Sequence, residues 1–265
     1  ILMPEQFGFI GLGQMGRPIA ENLIAAGYPV IGHDKSEQAS NLFAGKTELS
    51  VCRALNDSDL VITMLPSGAD VKEVLLRNEQ YLKTSKDCLF IDMSSSSPFD
   101  TLSLGKSLQD RAGLLDAPVS GGVERARNGS LSIMIGGTQG QFLEHKKLFE
   151  TLANKVFYCG KLGSGHALKI LNNYVSAAGL ISSCEALIAA QEFGISPDLF
   201  INVLNHSTGK NDATENKLKR FILSLDGLKK ETFEKIREGA KWDVVYPAVE
   251  KLCRIRQERG QTYPS

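Results

Sequence analysis

One glycine spacing near the start of the chain leaves few folds open. The segment GFIGLGQMGRPIA (8–20) sets Gly11, Gly13 and Gly16 in a G-x-G-x-x-G pattern. The apolar run FGFI (7–10) precedes it, and RPIAENLIAAG (17–27) follows with helical spacing. A short apolar run bounded by glycine predicts a buried strand, and Gly27 is a good helix stop. Between that strand and helix, Gly11 permits a tight turn and Gly13 lets a pyrophosphate approach the backbone. Gly16 lets the helix pack close to the strand. The helix then presents free N–H groups and its positive end to the phosphates. Three glycines alone also suit a merely structural turn, so the surrounding pattern has to decide.

That pattern alternates. YPVIGHD (28–34), DLVITMLP (59–66), CLFIDMS (88–94), GLLDAPVS (113–120), SLSIMIGG (130–137) and KVFYCG (155–160) read as strands. SEQASNLFAG (36–45), GADVKEVLLR (68–77), PFDTLSLGKSLQDRA (98–112) and 140–153 read as helices between them. Such alternation implies βαβ units and a mainly parallel sheet, covered on both faces because its strands are almost wholly apolar. After Gly163 only helical spacing remains. The expected fold is α/β: a Rossmann dinucleotide-binding domain over 1–162, then a long interdomain helix opening an all-helical domain over 163–265.

Composition excludes several other classes. With 30 basic and 30 acidic residues among 265, the chain has no electrostatic footprint for nucleic acid or an anionic membrane. Cys52, Cys88, Cys159, Cys184 and Cys253 are isolated, without C-x-x-C spacing, and read as free thiols of a reducing compartment. His33, His145, His166 and His206 are scattered, so no metal site is expected. The uncharged run 170–184 is too short to span a bilayer. The N-terminus runs straight into a strand rather than a secretory signal. The expected location is cytoplasmic, or the mitochondrial matrix where a transit peptide has been removed.

Candidate site residues follow from the chemistry. Asp34, at the end of the second strand, suits the adenosine ribose hydroxyls and repels a 2′-phosphate, which favours NAD. Lys35 beside it keeps NADP open. Ligands of open α/β sheets lie beyond the carboxyl ends of the strands. There the chain has MLPS (64–67), DMSSSSP (92–98) and DAPVSGG (116–122). The Ser120 hydroxyl and the N–H groups of Gly121 and Gly122 form a cradle suited to a carboxylate, although each segment alone also suits a plain loop. Asp92 and Asp116 are expected to brace these loops. Lys169 and Asn173 lie four apart on a predicted helix and share a face. Apolar residues surround most of that helix, so burial is expected. A lysine at its front is either snorkelling or desolvated. Its place where the nucleotide domain ends puts it near the expected cleft and favours proton-transfer chemistry.

Taken together, these segments resemble the β-hydroxyacid dehydrogenases, and within them the 3-hydroxyisobutyrate dehydrogenase branch. GFIGLGQMGRPIAENL is similar to the cofactor motif, and DMSSSSP to the D-x-S-T-x-x-P segment. DAPVSGGVERARNGSLSIMIGG is similar to the substrate motif, GSGHALKILNN (163–173) to the catalytic helix, and NHSTGKNDATENKL (205–218) to the stretch that follows. The resemblance implies Lys169 as the catalytic residue, and Ser120, Gly121, Gly122 and Asn173 as substrate-binding residues. It implies Gly11, Leu12, Gly13, Gln14, Met15, Gly16, Asp34, Leu65, Pro66 and Ser94 on the cofactor side. It further implies hydride transfer between NAD (or NADP) and a small β-hydroxyacid, in a homodimer or homotetramer.

Two departures stand out. Ser95 replaces the usual threonine. After Ser224 the family's Lys-Asp pair is not repeated, since Asp243 follows Trp242 with Lys241 before it. The C-terminal part is therefore expected to be remodelled or shortened. Two other readings stay open: a reductase of a semialdehyde or another small carbonyl, and a dinucleotide-binding protein without turnover.

Overall fold

The computed structural model describes residues 6–48, 58–77, 88–108 and 112–218. Cys52, Cys253, Trp242 and Asp243 lie outside these residues. The chain divides into two compact units, Ile1–Asn172 and Asn173–Ser265.

Among the described residues the first unit holds nine strands in one sheet. They are β1 (Phe7–Ile10), β2 (Val30–His33), β3 (Lys46–Thr47), β4 (Leu60–Thr63), β5 (Leu89–Asp92), β6 (Gly113–Asp116), β7 (Val119–Ser120), β8 (Leu131–Gly136) and β9 (Ala153–Gly160). Their order is β3-β2-β1-β4-β5-β6-β8-β7, with β9 also paired to β8. From β3 to β6 every pairing is parallel. The chain first builds outward from β1 to β2 and β3, then returns to lay β4 on the other side of β1. That reversal is a topological switch point, where open sheets hold their ligands.

Strand period explains the two-faced core. Phe7, Phe9, Leu60, Ile62, Leu89, Ile91 and Leu115 point to one face. Ile10, Val61, Phe90 and Leu114 point to the other. Helix α1 (Gly16–Ala25) brings Ile19 and Leu23 to the first face. Helices α3 (Gly68–Leu76) and α4 (Pro98–Ser107), which follow the short α2 (Glu37–Asn41), bring Val71, Leu75 and Leu104 to the second. Alternate residues of a strand face opposite ways, so a sheet helical on both sides needs apolar residues at every position. Gly27 ends α1 with φ +89°, and Tyr28 N–H closes back on Leu23 O at 3.0 Å. Helix α4 starts at a Ser97 cap with Pro98 in its first turn.

The sequence pattern and the structure differ in several places. The stretch 113–120 is two strands, not one. Its first part, β6, is parallel to β5, whereas β7 pairs antiparallel with β8. Pro118, which has no N–H to give a ladder, stands between them. The expected helix 140–153 is two short helices meeting at His145, α6 (Gln139–Glu144) and α7 (Lys146–Leu152). A further helix, α5 (Gly122–Arg127), follows β7 and was not expected.

A long helix, α8, runs Ser164–Glu192, and α9 (Pro197–Asn205) and a π-helical turn (Ala213–Lys217) follow it. Among its described residues the second unit consists of helices joined by turns, with no strand. Burial along α8 departs from expectation: Tyr174 is 71% and Val175 69% exposed. An apolar run shows that burial would be favourable; it does not show what does the burying.

Candidate active site

The ends of β1, β2 and β4 converge on one cleft of about 490 Å³. Gly11, Gly13, Gln14, Met15 and Gly16 form one wall, Asp34 and Lys35 the next, and Leu65 and Pro66 the third. Eight of the ten expected cofactor residues therefore line it. Leu12 and Ser94 do not. The Leu12 side chain is 2% exposed, in the core. Its N–H donates to Asp34 Oδ2 at 2.7 Å, while Ser36 N–H donates to Asp34 Oδ1 at 2.8 Å. Asp34 thus ties the glycine loop to the end of β2, and each oxygen keeps a lone pair for a further donor.

The three glycines differ in what surrounds them. A Cβ on Gly11 (φ +99°) would stand 2.2 Å from Met64 O, and one on Gly16 would stand 1.8 Å from Gly11 O. Both are needed for close packing of the chain on itself. A Cβ on Gly13 would meet nothing within 4 Å. Gly13 is therefore dispensable for packing, and it borders the cleft. Met15, at the cap of α1, gives no side-chain cap bond, and the first turn has no acidic residue. The positive end of α1 is left open for an anion. These residues fit a dinucleotide, with its pyrophosphate against Gly13 and the α1 terminus.

Behind the cleft lies a buried polar layer. In register across the sheet stand Thr63, Asp92 and Asp116, at the last positions of β4, β5 and β6. Asp92 Oδ1 accepts from Thr63 Oγ1 at 3.0 Å and from Ser94 N–H at 2.9 Å, and Oδ2 accepts from Ser96 Oγ at 2.7 Å. Asp116 accepts from the Gly163 and His166 N–H groups at 2.7 and 2.8 Å. It caps α8 from a distant strand, with its charge at the positive helix end. Both aspartates brace backbone, as expected. A Cβ on Gly165 would stand 2.3 Å from Met134 O, so this first turn of α8 needs glycine to sit on β8.

Ser94 belongs to this layer rather than to the cleft wall. It is 0% exposed, and its hydroxyl accepts from Leu65 N–H at 2.9 Å. It bears on the cofactor side through Leu65. Sequence reasoning also missed His166, which is 0% exposed and bonds to the same segment. The signal available was a histidine just ahead of a long uncharged helix, with two strand-end aspartates to receive it. His33, Met64, Asp70, Glu73 and Val74, also lining the cleft, were missed as well.

Ser120 ends β7, half-buried, and pairs with Ser132 of β8. Gly121 (φ +138°) and Gly122 (φ +70°) follow, both exposed, and a Cβ on Gly122 would meet nothing within 4 Å. Lys169 lies in the second turn of α8, half-buried, and burial pushes its ammonium below the ordinary lysine value. Asn173 lies one turn further along the same helix, exposed.

Comparison with known proteins bears on this arrangement. Residues 6–160 match the NAD binding domain of 6-phosphogluconate dehydrogenase, and residues 163–233 match the NAD-binding region of NADP-dependent 3-hydroxyisobutyrate dehydrogenase. The chain belongs to the β-hydroxyacid dehydrogenase family, in its 3-hydroxyisobutyrate dehydrogenase branch. Its Rossmann domain is an NAD(P)-binding domain. The mitochondrial 3-hydroxyisobutyrate dehydrogenase of Mus musculus is 38% identical over 208 residues, 77% of this chain and 62% of that protein. The chain thus spans about three fifths of the length of that relative. The 2-(hydroxymethyl)glutarate dehydrogenase of Eubacterium barkeri is 33% identical over 83% of this chain and 75% of its own length. Among solved structures, the Mycobacterium tuberculosis 3-hydroxyisobutyrate dehydrogenase with L-serine superposes with a TM-score of 0.76 at 28% identity, covering 98% of this chain and 89% of that one. No helix among the described residues is long and apolar enough to cross a membrane.

Proposed function

We propose that this protein is an NAD-dependent dehydrogenase of a small β-hydroxyacid resembling 3-hydroxyisobutyrate. Residues 1–162 form the cofactor domain in this reading, and 163–265 the helical domain for substrate and assembly. The observation that carries it is Lys169: an amine in the second turn of a helix whose start is held by Asp116 at the end of β6, with its basicity lowered by burial.

Bound in the cleft, the nicotinamide would supply the hydride acceptor. The protein's own part is proton transfer and positioning. Neutral Lys169 Nζ takes the substrate hydroxyl proton during oxidation and returns it to the carbonyl oxygen during reduction. Ser120 Oγ and the N–H groups of Gly121 and Gly122 hold the substrate carboxylate, and Asn173 binds the same molecule. Asp34 accepts from the adenosine ribose, which favours NAD over NADP. A homodimer or homotetramer in the cytoplasm or mitochondrial matrix completes the proposal.

The test is turnover of a panel of small β-hydroxyacids and of the matching semialdehydes, with NAD and NADP in parallel, read as reduced nicotinamide. The expected result is turnover of one acid with NAD, lost in Lys169→Ala. Cofactor binding without turnover of any acid or semialdehyde would overturn the enzymatic reading. Unchanged activity in Lys169→Ala would overturn the role of the lysine.

A further inference from the structure

His166 has no place in the proton chemistry described above, yet it is among the most enclosed polar residues of the first unit. Its ring is 0% exposed. Its Nε2 lies 3.0 Å from Ser94 O, and its Nδ1 lies 2.8 Å from Thr101 Oγ1. A carbonyl oxygen only accepts, so Nε2 carries a proton and donates to Ser94. Asp92 Oδ2 and Asp116 Oδ2 stand 3.8 and 3.7 Å from the ring nitrogens, on either side.

These bonds form a continuous line. Leu65 on the cleft wall donates its N–H to Ser94 Oγ. Ser94 O accepts from His166, and Asp92 fixes the Ser94 N–H from the other side. His166 is three residues before Lys169 on α8, which places the two on one helical face. Its own N–H is held by Asp116.

We infer that His166 is a positioning residue: through Nε2–H to Ser94 O it holds the Lys169 turn of α8 in register with the Leu65 loop of the cofactor cleft. The inference rests on the proposed role of Lys169 for its kinetic consequence, but not for its structural one. Displacements of about an ångström between reacting groups cost on the order of a hundredfold in rate. The effect therefore falls on kcat rather than on cofactor affinity.

The two ring nitrogens can be mimicked one at a time. His166→Gln keeps an amide N–H near the Nε2 position, facing Ser94 O. His166→Asn keeps an amide near the Nδ1 position, its oxygen able to accept from Thr101 Oγ1, and leaves Ser94 O without its donor. Two readouts are taken on the full chain. The first is kcat and KM for the acid and for NAD. The second is hydrogen exchange of the Leu65 amide in the protein without cofactor. Both variants are compared at matched fraction folded.

The expected result is kcat lowered roughly tenfold to a hundredfold in His166→Asn. KM for NAD is unchanged and Leu65 exchange is faster, while His166→Gln recovers most of both. Equal loss in the two variants would reduce His166 to a space-filling role and overturn the proposal. So would wild-type kcat and Leu65 protection in His166→Asn. Should wild type turn over no substrate, the dehydrogenase reading fails, and the exchange of Leu65 alone decides the role of His166. If His166→Asn does not fold, His166→Gln still decides: wild-type protection of Leu65 supports the tie, and lost protection refutes it.

Discussion

Asp34 Oδ2 accepts the backbone N–H of Leu12 at 2.7 Å, so the residue expected to select the cofactor also holds the glycine loop in place. Removing it has two consequences. Asp34→Ala is expected to cost roughly 1–2 kcal/mol of stability from the lost bonds to Leu12 and Ser36. NAD affinity is expected to fall about tenfold, the equivalent of about 1.4 kcal/mol, and the preference over NADP to shrink. Denaturant unfolding and titration with both cofactors check the two parts separately.

The glycines of the loop separate packing from binding. Gly16→Ala would put a methyl 1.8 Å from Gly11 O, which is backbone and cannot swing aside. It is expected to lower Tm sharply. Gly13→Ala meets nothing within 4 Å. It is expected to keep the wild-type Tm while weakening cofactor binding, because the methyl fills space where the pyrophosphate approaches. Tm and reduced-nicotinamide fluorescence titration, run on both variants, test the distinction. Equal loss of binding and stability in Gly13→Ala would show that the loop, not the ligand, needs that glycine.

Asp116 stabilises α8 across a gap of 50 residues. Asp116→Ala leaves the Gly163 and His166 N–H groups buried without partners. Each unsatisfied buried donor costs about 1–3 kcal/mol, so the variant is expected to be among the most destabilised single substitutions in the first unit. Asp116→Asn retains one accepting oxygen and is expected to fall between. Chemical denaturation of both variants provides the comparison.

Lys169 gives a pH dependence of known sign. Burial lowers its folded value below the ordinary lysine value. Between those two values the unfolded chain binds more protons than the folded one, so stability rises with pH across that window. Below it the penalty of charging the buried amine is complete. Lys169→Met is expected to flatten this rise in a series of Tm measurements. For catalysis the neutral amine is the active form in oxidation, so kcat/KM for the acid is expected to climb with pH and then level. Lys169→Ala is expected to lose that limb and about 10²–10⁴-fold in kcat.

Much of the cofactor cleft was legible in residue order. Gly11 to Gly16, Asp34, Leu65 and Pro66 follow directly on three strands that periodicity alone identifies, and a strand's carboxyl end is where its ligand residues stand. Ser94 was legible as a site residue but not in its manner of acting. Its position after β5 is written in the chain; the inward turn of its hydroxyl toward Leu65 depends on Asp92 and His166. The helix pair at His145 and the break at Pro118 were hidden because each half is shorter than the window of residues over which a period is recognised.

The amino-acid sequence by itself determined the alternating sheet, the glycine turn at its switch point and the helical character beyond Gly163. These are local properties, set by which neighbours must face apolar surroundings. The tertiary structure alone decided that Asp116 caps α8, that His166 donates to Ser94 O across 72 residues, and that Tyr174 and Val175 stand exposed on an apolar helix. Such pairings depend on strand order and on how closely backbones approach, at Gly165 above all. Hydrophobic periodicity records that a face is to be buried, and it carries no record of the partner.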